Sequence, residues 1–268
     1  MQTALDIDSL YDLTDEQIGR FRADGFIKLK DVLSPDVLAF FGDKITEKVH
    51  ELRKEKAPLE ERSTYGKAFL QVTNIWRNSA VVETFVRGRR LAQIATELLG
   101  TKGVRMYHDQ ALYKEAGGGY TPWHVDQYYW PLSNPNTVTA WIPFDAVPME
   151  NGPMEFSKGS QKILFGRKFS ISDKSEVAIE KNLRRSQLPI VREPFELGEV
   201  SFHYGFTFHR AGPNTSNQAR RVMTIIYMDS EMRLIQPKYK SQQNDREVFC
   251  PGVKVGETID TELNPVLY

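Results

Sequence analysis

The chain of 268 residues holds five histidines, and two of them stand at positions that could bind a metal with an aspartate. His124, Val125 and Asp126 are consecutive. On a strand, residues i and i+2 point to the same face, so this imidazole and carboxylate could converge on one ion. His209 lies on a later strand-like stretch, "SFHYGFTFHR", and is the candidate third ligand. Two imidazoles and one carboxylate cover one face of an octahedron and leave the remaining positions open, the arrangement of non-haem iron(II) oxygenases. His-x-Asp alone is a common pair, and it equally describes a hydrogen-bonded residue at a strand end.

Downstream of His209, Gly212-Pro213-Asn214 reads as a turn, and Arg220-Arg221 opens the next apolar strand. An open iron site needs its co-substrate held in register, and a guanidinium suits a dicarboxylate because its planar fork can grip a carboxylate at two points. Neighbours on a strand face opposite ways, so one arginine is expected in the cavity and the other in a surface salt bridge. His203, six residues before His209, would share its face on an unbroken strand; a supporting role is expected, since three ligands are already present. His108 and Gln110 share a face, and His50 sits on a charged, exposed helix. Trp123, Tyr128, Tyr129 and Trp130 either wall a pocket or pack a rim, with Tyr128 or Tyr129 expected to touch ligand. Glu115, Glu150 and Glu155 fall on loop-like stretches without the spacing of an acid–base pair. The one cysteine, Cys250, allows no intrachain disulfide and removes cysteine-based zinc or iron–sulfur sites.

The elements that must position these residues fall into two parts. Up to residue 103 the pattern is mostly helical. Thr14 and Gln17 have capping-box spacing, "FIKLK" reads as a short strand, Ser34-Pro35 starts a second helix, and a third is expected through "AVVETFVRGRRLAQIATELLG", closed by Gly100. From Val104 short β-branched runs alternate with Gly, Pro and Asn clusters, which suggests a sandwich or jelly roll. "EAGGGYTP" and "ENGPMEFSKGS" read as loops. The expected organisation is a single domain over 1–268: a helical part over 1–103, a β core over 104–235 with an insertion near 165–187 at the barrel mouth, and an irregular tail over 236–268. The fold class is mainly β with flanking helices (α+β).

Lys plus Arg and Asp plus Glu both number 35, so there is no basic excess of the kind that phosphate-driven nucleic-acid binding requires. "RGRR" at 87–90 reads as a solvated helix face. No apolar run approaches the ~20 residues that span a bilayer, the first residues carry no apolar signal core, and the last do not form the "SKL" address. A cytoplasmic protein that contacts neither membrane nor nucleic acid is expected.

Three stretches, "YTPWHVDQYYWP", "TVTAWIPFDAVPMENGPMEF" and "LGEVSFHYGFTFHRAGPNTSNQARR", together with the opening "LTDEQIGRFRADGFIKLKDVLSPD", resemble the phytanoyl-CoA dioxygenase family of iron(II)/2-oxoglutarate-dependent oxygenases, from about Thr14 to Met228. The resemblance implies a double-stranded β-helix (cupin-like) core with His124, Asp126 and His209 as catalytic iron ligands. It implies Arg220, rather than Arg221, as the residue holding the far carboxylate of 2-oxoglutarate, with Gln110 and Trp141 as co-substrate contacts and Gln71 as a looser match. The implied reaction uses Fe(2+), 2-oxoglutarate and dioxygen, with ascorbate as a supporting reductant. It releases succinate and carbon dioxide and most often hydroxylates a small-molecule substrate. Iron halogenases related to the family have a small residue where Asp126 stands, so oxygenation or dehydrogenation, not halogenation, is expected. Two positions depart from the family pattern: Ala211 replaces a hydroxyl-bearing residue, and Gln161 replaces the histidine of a Gly-Ser-His loop. The alternative is a non-catalytic or 2-oxoglutarate-independent cupin-like metal-binding protein.

Overall fold

The computed structural model describes residues 5–268. Helix α1 (Asp15–Asp24) starts where the Thr14 hydroxyl accepts the Gln17 N–H and the Gln17 side chain accepts the Thr14 N–H, a capping box. It stops at Gly25, whose φ of 87° suits a residue without a side chain. Strand β1 (Phe26–Leu29) follows, then α2 (Pro35–Leu52), opened by the Ser34 cap and a proline in the first turn. The buried stripe of α2, Val37, Leu38, Phe41, Ile45 and Val49, has helical period. Helix α3 (Thr64–Ala68) leads into strand β2 (Leu70–Thr73).

The expected third helix is two, α4 (Ala80–Val86) and α5 (Arg89–Leu99), divided at Gly88. The amino-terminal segment causes the break by capping the second helix: the Asp8 carboxylate accepts the Arg89 N–H at 2.9 Å, and the Ile7 carbonyl accepts the Arg90 N–H at 3.0 Å. The "RGRR" stretch is therefore not simply a solvated face. Arg87 pairs with Glu83 at the surface, but Arg90 clasps Asp6 and donates to the carbonyls of Ser9 and Val32.

The remaining elements are β3 (Val104–Tyr113), β4 (Thr121–His124), β5 (Thr137–Pro143), β6 (Met154–Ser157), α6 (Asp173–Arg185), β7 (Ile190–Arg192), β8 (Val200–Tyr204), β9 (His209–Ala211), β10 (Val222–Asp229) and α7 (Lys240–Phe249). Two antiparallel sheets form, one in the order β1-β8-β5-β10-β3-β2 and the other β4-β9-β6-β7. This is a jelly roll flanked by helices, the expected fold class. The two-residue strand period decides which side chains reach the interior. Val138, Ala140 and Ile142 of β5, with Met223, Ile225 and Tyr227 of β10, join the helices in one apolar core. The intervening Thr139, Trp141 and Thr224 face a cavity between the sheets.

Three elements differ from the sequence expectation. β6 lies inside a stretch read as a loop; its four residues are all buried, so the strand lacks the polar–apolar alternation that marks half-buried ones. "SFHYGFTFHR" is not one strand: a turn after Tyr204 sends β8 and β9 to different sheets. The tail expected to be irregular contains α7, whose polar sequence hides its anchors, Phe249 packed in the core and Gln242 bonded to the Tyr128 carbonyl at 2.9 Å. No helix among the described residues is long and apolar enough to cross a membrane.

Candidate metal and co-substrate site

His124 and His209 are register partners across β4 and β9. Their Nδ1 atoms lie 2.7 Å from the Pro122 carbonyl and 2.9 Å from the Thr207 carbonyl. With Nδ1–H donating there, each Nε2 keeps its lone pair and faces Asp126 Oδ1, at 3.6 Å and 3.5 Å. Asp126 is not on a strand, as same-face spacing requires. β4 ends at His124, and Asp126 opens a 3-10 turn (Asp126–Tyr128) that swings the carboxylate between the imidazoles. One ligand atom from each residue lies within 4.8 Å of the others. Burial holds the His209 imidazole well below its usual range, leaving it neutral. Burial would raise Asp126, but its neighbours His209, His124 and His203 outweigh it and hold the carboxyl well below the usual range. Two imidazoles whose Nε2 atoms face one carboxylate fit a divalent iron.

The other carboxylate oxygen is also fixed. Thr139 donates to Asp126 Oδ2 at 3.0 Å, and His203 Nε2 lies 3.1 Å from the same atom. Thr139 and His203 are direct partners across β5 and β8, so one rung of the large sheet orients a group on the small-sheet side. His203 thus braces Asp126, although the shared-strand reason for placing it near His209 does not hold.

Of the two arginines, Arg220 is buried and lines the cavity, whereas Arg221 pairs with Asp145 at 2.8 Å and Asp43 at 3.2 Å on the outside. Arg220 donates to the Gly152 carbonyl, stands over the Trp141 ring at 5.2 Å, and has an Nε without a partner. No carboxylate among the described residues pairs with it, and burial lowers its pKa to about 9. The turn that accepts its proton is tight: Gly152 has a φ of 64°, and a Cβ there would stand 2.2 Å from the Gly212 carbonyl oxygen. Gln110 and Trp141 line the same cavity in register with Thr224 between them, and Gln71 donates to Gln110 at 2.5 Å.

The sequence reading missed Lys114. It is fully buried beside Arg220 through a reciprocal backbone pair of 3.0 Å and 2.8 Å. Burial, reinforced by the Arg220 charge, brings its pKa to about 6. At neutral pH the pair therefore carries mainly the arginine's charge.

Tyr129 and Trp130 line the cavity, while Tyr128 stacks on Tyr239 with ring centres 5.1 Å apart. The 165–187 segment is tied to the site through α6: Glu176 accepts the Trp123 N–H and binds Arg210 at 2.7 Å. Glu115 pairs with Arg62, and Glu155 lies on β6 paired with Arg210, so neither forms an acid–base couple. His50 is exposed. Ala211 lines the cavity, leaving it without a hydroxyl there, and Gln161 donates to carbonyls at the end of α1.

A jelly roll that brings a His–Asp–His cluster and a buried arginine, unpaired among the described residues, into one cavity defines an oxygenase scaffold of the iron and 2-oxoglutarate class. The chain belongs to the phytanoyl-CoA dioxygenase (PhyH) family, whose pattern matches residues 21–222. It is 26% identical over 153 residues to a probable alpha-ketoglutarate-dependent hypophosphite dioxygenase of Stutzerimonas stutzeri, covering 54% of this chain and 52% of that one. The chain thus spans about half the length of that relative. It is 29% identical over 234 residues to the L-proline trans-4-hydroxylase of Streptomyces griseoviridis, covering 78% and 84%. The non-heme alpha ketoglutarate dependent carbocyclase SnoK from nogalamycin biosynthesis superposes with a TM-score of 0.78 at 25% identity, over 95% of this chain and 96% of that one. Iron, 2-oxoglutarate and dioxygen are accordingly the metal, co-substrate and oxidant of the class to which the chain belongs.

Proposed function

We propose that the chain is an iron(II)- and 2-oxoglutarate-dependent dioxygenase that hydroxylates a small organic metabolite, releasing succinate and carbon dioxide. The observation that carries this reading is Arg220, a buried guanidinium without a carboxylate partner in the cavity that holds the His124, Asp126 and His209 cluster. A buried cation normally has a counter-ion, and the distal carboxylate of 2-oxoglutarate would supply it. Iron held by His124, Asp126 and His209 would couple dioxygen activation to decarboxylation of the 2-oxo acid. The protein's own groups bind and orient. Carbonyl-anchored Nδ1–H groups fix both imidazoles, and Thr139 and His203 fix Asp126. The Nε of Arg220 remains for the co-substrate, with Gln110 and Trp141 alongside. Tyr129 and Trp130 line the same cavity.

The cavity is about 260 Å³, small beside ordinary ligand sites of roughly 300–1,000 Å³. Co-substrate and substrate must share it, which favours a small free metabolite over an acyl-CoA. The relatives named for hypophosphite and L-proline likewise act on small molecules.

Anaerobic addition of iron(II) and 2-oxoglutarate is expected to give a weak visible metal-to-ligand charge-transfer band. No band from folded, iron-loaded protein would sink the assignment. His203→Phe is expected to weaken iron(II) binding about 10–100-fold, because outer hydrogen bonds hold ligands in orientation. An anaerobic iron titration reads this directly; unchanged affinity would show that Thr139 alone is sufficient.

A further inference from the structure

Apart from the imidazoles, the charged side chains lining the cavity among the described residues are Asp126, Arg210, Arg220 and Asp245. Asp126 and Arg220 have the roles given above. Arg210 is neutralised by Glu155 at 2.9 Å and Glu176 at 2.7 Å. Asp245 forms no ion pair among the described residues, and it comes from α7.

Its surroundings suit a cation. Tyr129, Trp130 and Phe249 line the same cavity, and aromatic faces attract positive charge. His108 adds no competing charge, since burial lowers its pKa to about 4. Asp245 is also held in place. Gln242 ties α7 to the Tyr128 carbonyl, and Phe249 stacks on His108 with ring centres 4.0 Å apart. Burial raises the Asp245 carboxyl to about 8 against the lowering effect of the neighbouring Tyr107 hydroxyl, and a cation beside it would restore the charged form. Among the described residues lining the cavity, an anionic substrate would find no unpaired cation once 2-oxoglutarate occupied Arg220.

We infer that Asp245 receives a positively charged nitrogen of the primary substrate, so that the enzyme takes amines or quaternary ammonium metabolites. This rests on the oxygenase reading above and specifies the substrate class for the same cavity. A carboxylate on α7, beyond the metal motif, would then set specificity without touching iron or co-substrate.

The test uses the anaerobic protein loaded with iron(II) and 2-oxoglutarate. It is titrated with three probes of similar size, propylammonium, propan-1-ol and propionate, and read by the charge-transfer band and tryptophan fluorescence. The native protein should bind propylammonium about tenfold or more tighter than either other probe. Asp245→Asn should abolish that preference while the band and the melting temperature stay unchanged. Equal affinities, tighter propionate, no measurable propylammonium binding, or a preference surviving in Asp245→Asn would each overturn the inference. Absence of the band would instead overturn the oxygenase reading, and this inference with it.

Discussion

Arg220→Ala is expected to raise the dissociation constant for 2-oxoglutarate by about two to three orders of magnitude, while Arg221→Ala changes it by less than about fivefold. Breaking a buried charge pair typically costs about 3–5 kcal/mol, and an exposed pair contributes about 0–1; each 1.4 kcal/mol is about tenfold in affinity. The two side chains fall on opposite sides of this divide. Arg220 is buried with its Nε unpartnered, whereas Arg221 lies against Asp145 and Asp43 at the surface. A second measurement separates a binding role from a structural one. Without co-substrate, Arg220 is a desolvated cation with no counter-ion, so Arg220→Met should leave the melting temperature unchanged or raise it. The stabilisation that 2-oxoglutarate gives the native protein should disappear in the same variant. Equal effects of Arg220→Ala and Arg221→Ala in the titration would show that the cavity-facing arginine has been misassigned.

The sequence displayed ligand types far better than it displayed the geometry joining them. His124-x-Asp126 stood out because few residue types bind iron, yet the strand spacing that seemed to explain it does not apply, since β4 ends at His124. The Arg220–Arg221 alternation was legible for a sound reason: the pair leads directly into β10, with Arg220 bridging Lys114 and the Arg221 carbonyl accepting the Phe144 N–H, so the two-residue strand period already separates a cavity side from an outer side there. Thr139 shares the inward face of β5 with Trp141 and could have been found by the same count. Its partnership with His203 could not, because register between β5 and β8 depends on pairing across the sheet and not on local pattern. Asp245 and Lys114 were hidden differently. Each is one of 35 residues of its charge sign, and only the tertiary fold removes their counter-ions. The "KSQQNDREVF" segment that carries Asp245 has too few apolar residues to reveal which face it buries.

Asp126→Gly is expected to abolish substrate-dependent succinate formation and to weaken iron(II) binding beyond the roughly 10–100-fold that follows loss of an outer support. The carboxylate has three tasks here. Oδ1 would complete the donor set with the two Nε2 atoms and the negative charge would balance a divalent ion, while Oδ2 satisfies Thr139 and His203. Its removal leaves the Thr139 hydroxyl and His203 N–H as buried donors without an acceptor, at a cost of about 1–3 kcal/mol each, so the melting temperature should fall as well. Asp126→Asn separates these contributions. It keeps an acceptor for the two donors and much of the fold stability, but it loses the charge and should still be impaired in iron binding. The same anion bears on the product. In the native protein, chloride entering the site would have to compete with a carboxylate held by two hydrogen bonds, so oxygenated products are expected even in high chloride. Asp126→Gly need not gain halogenation, because the cavity would also have to hold the halide and aim the substrate radical towards it. Mass spectrometry of products formed in high chloride decides the point, and a chlorinated product from the native protein would overturn it.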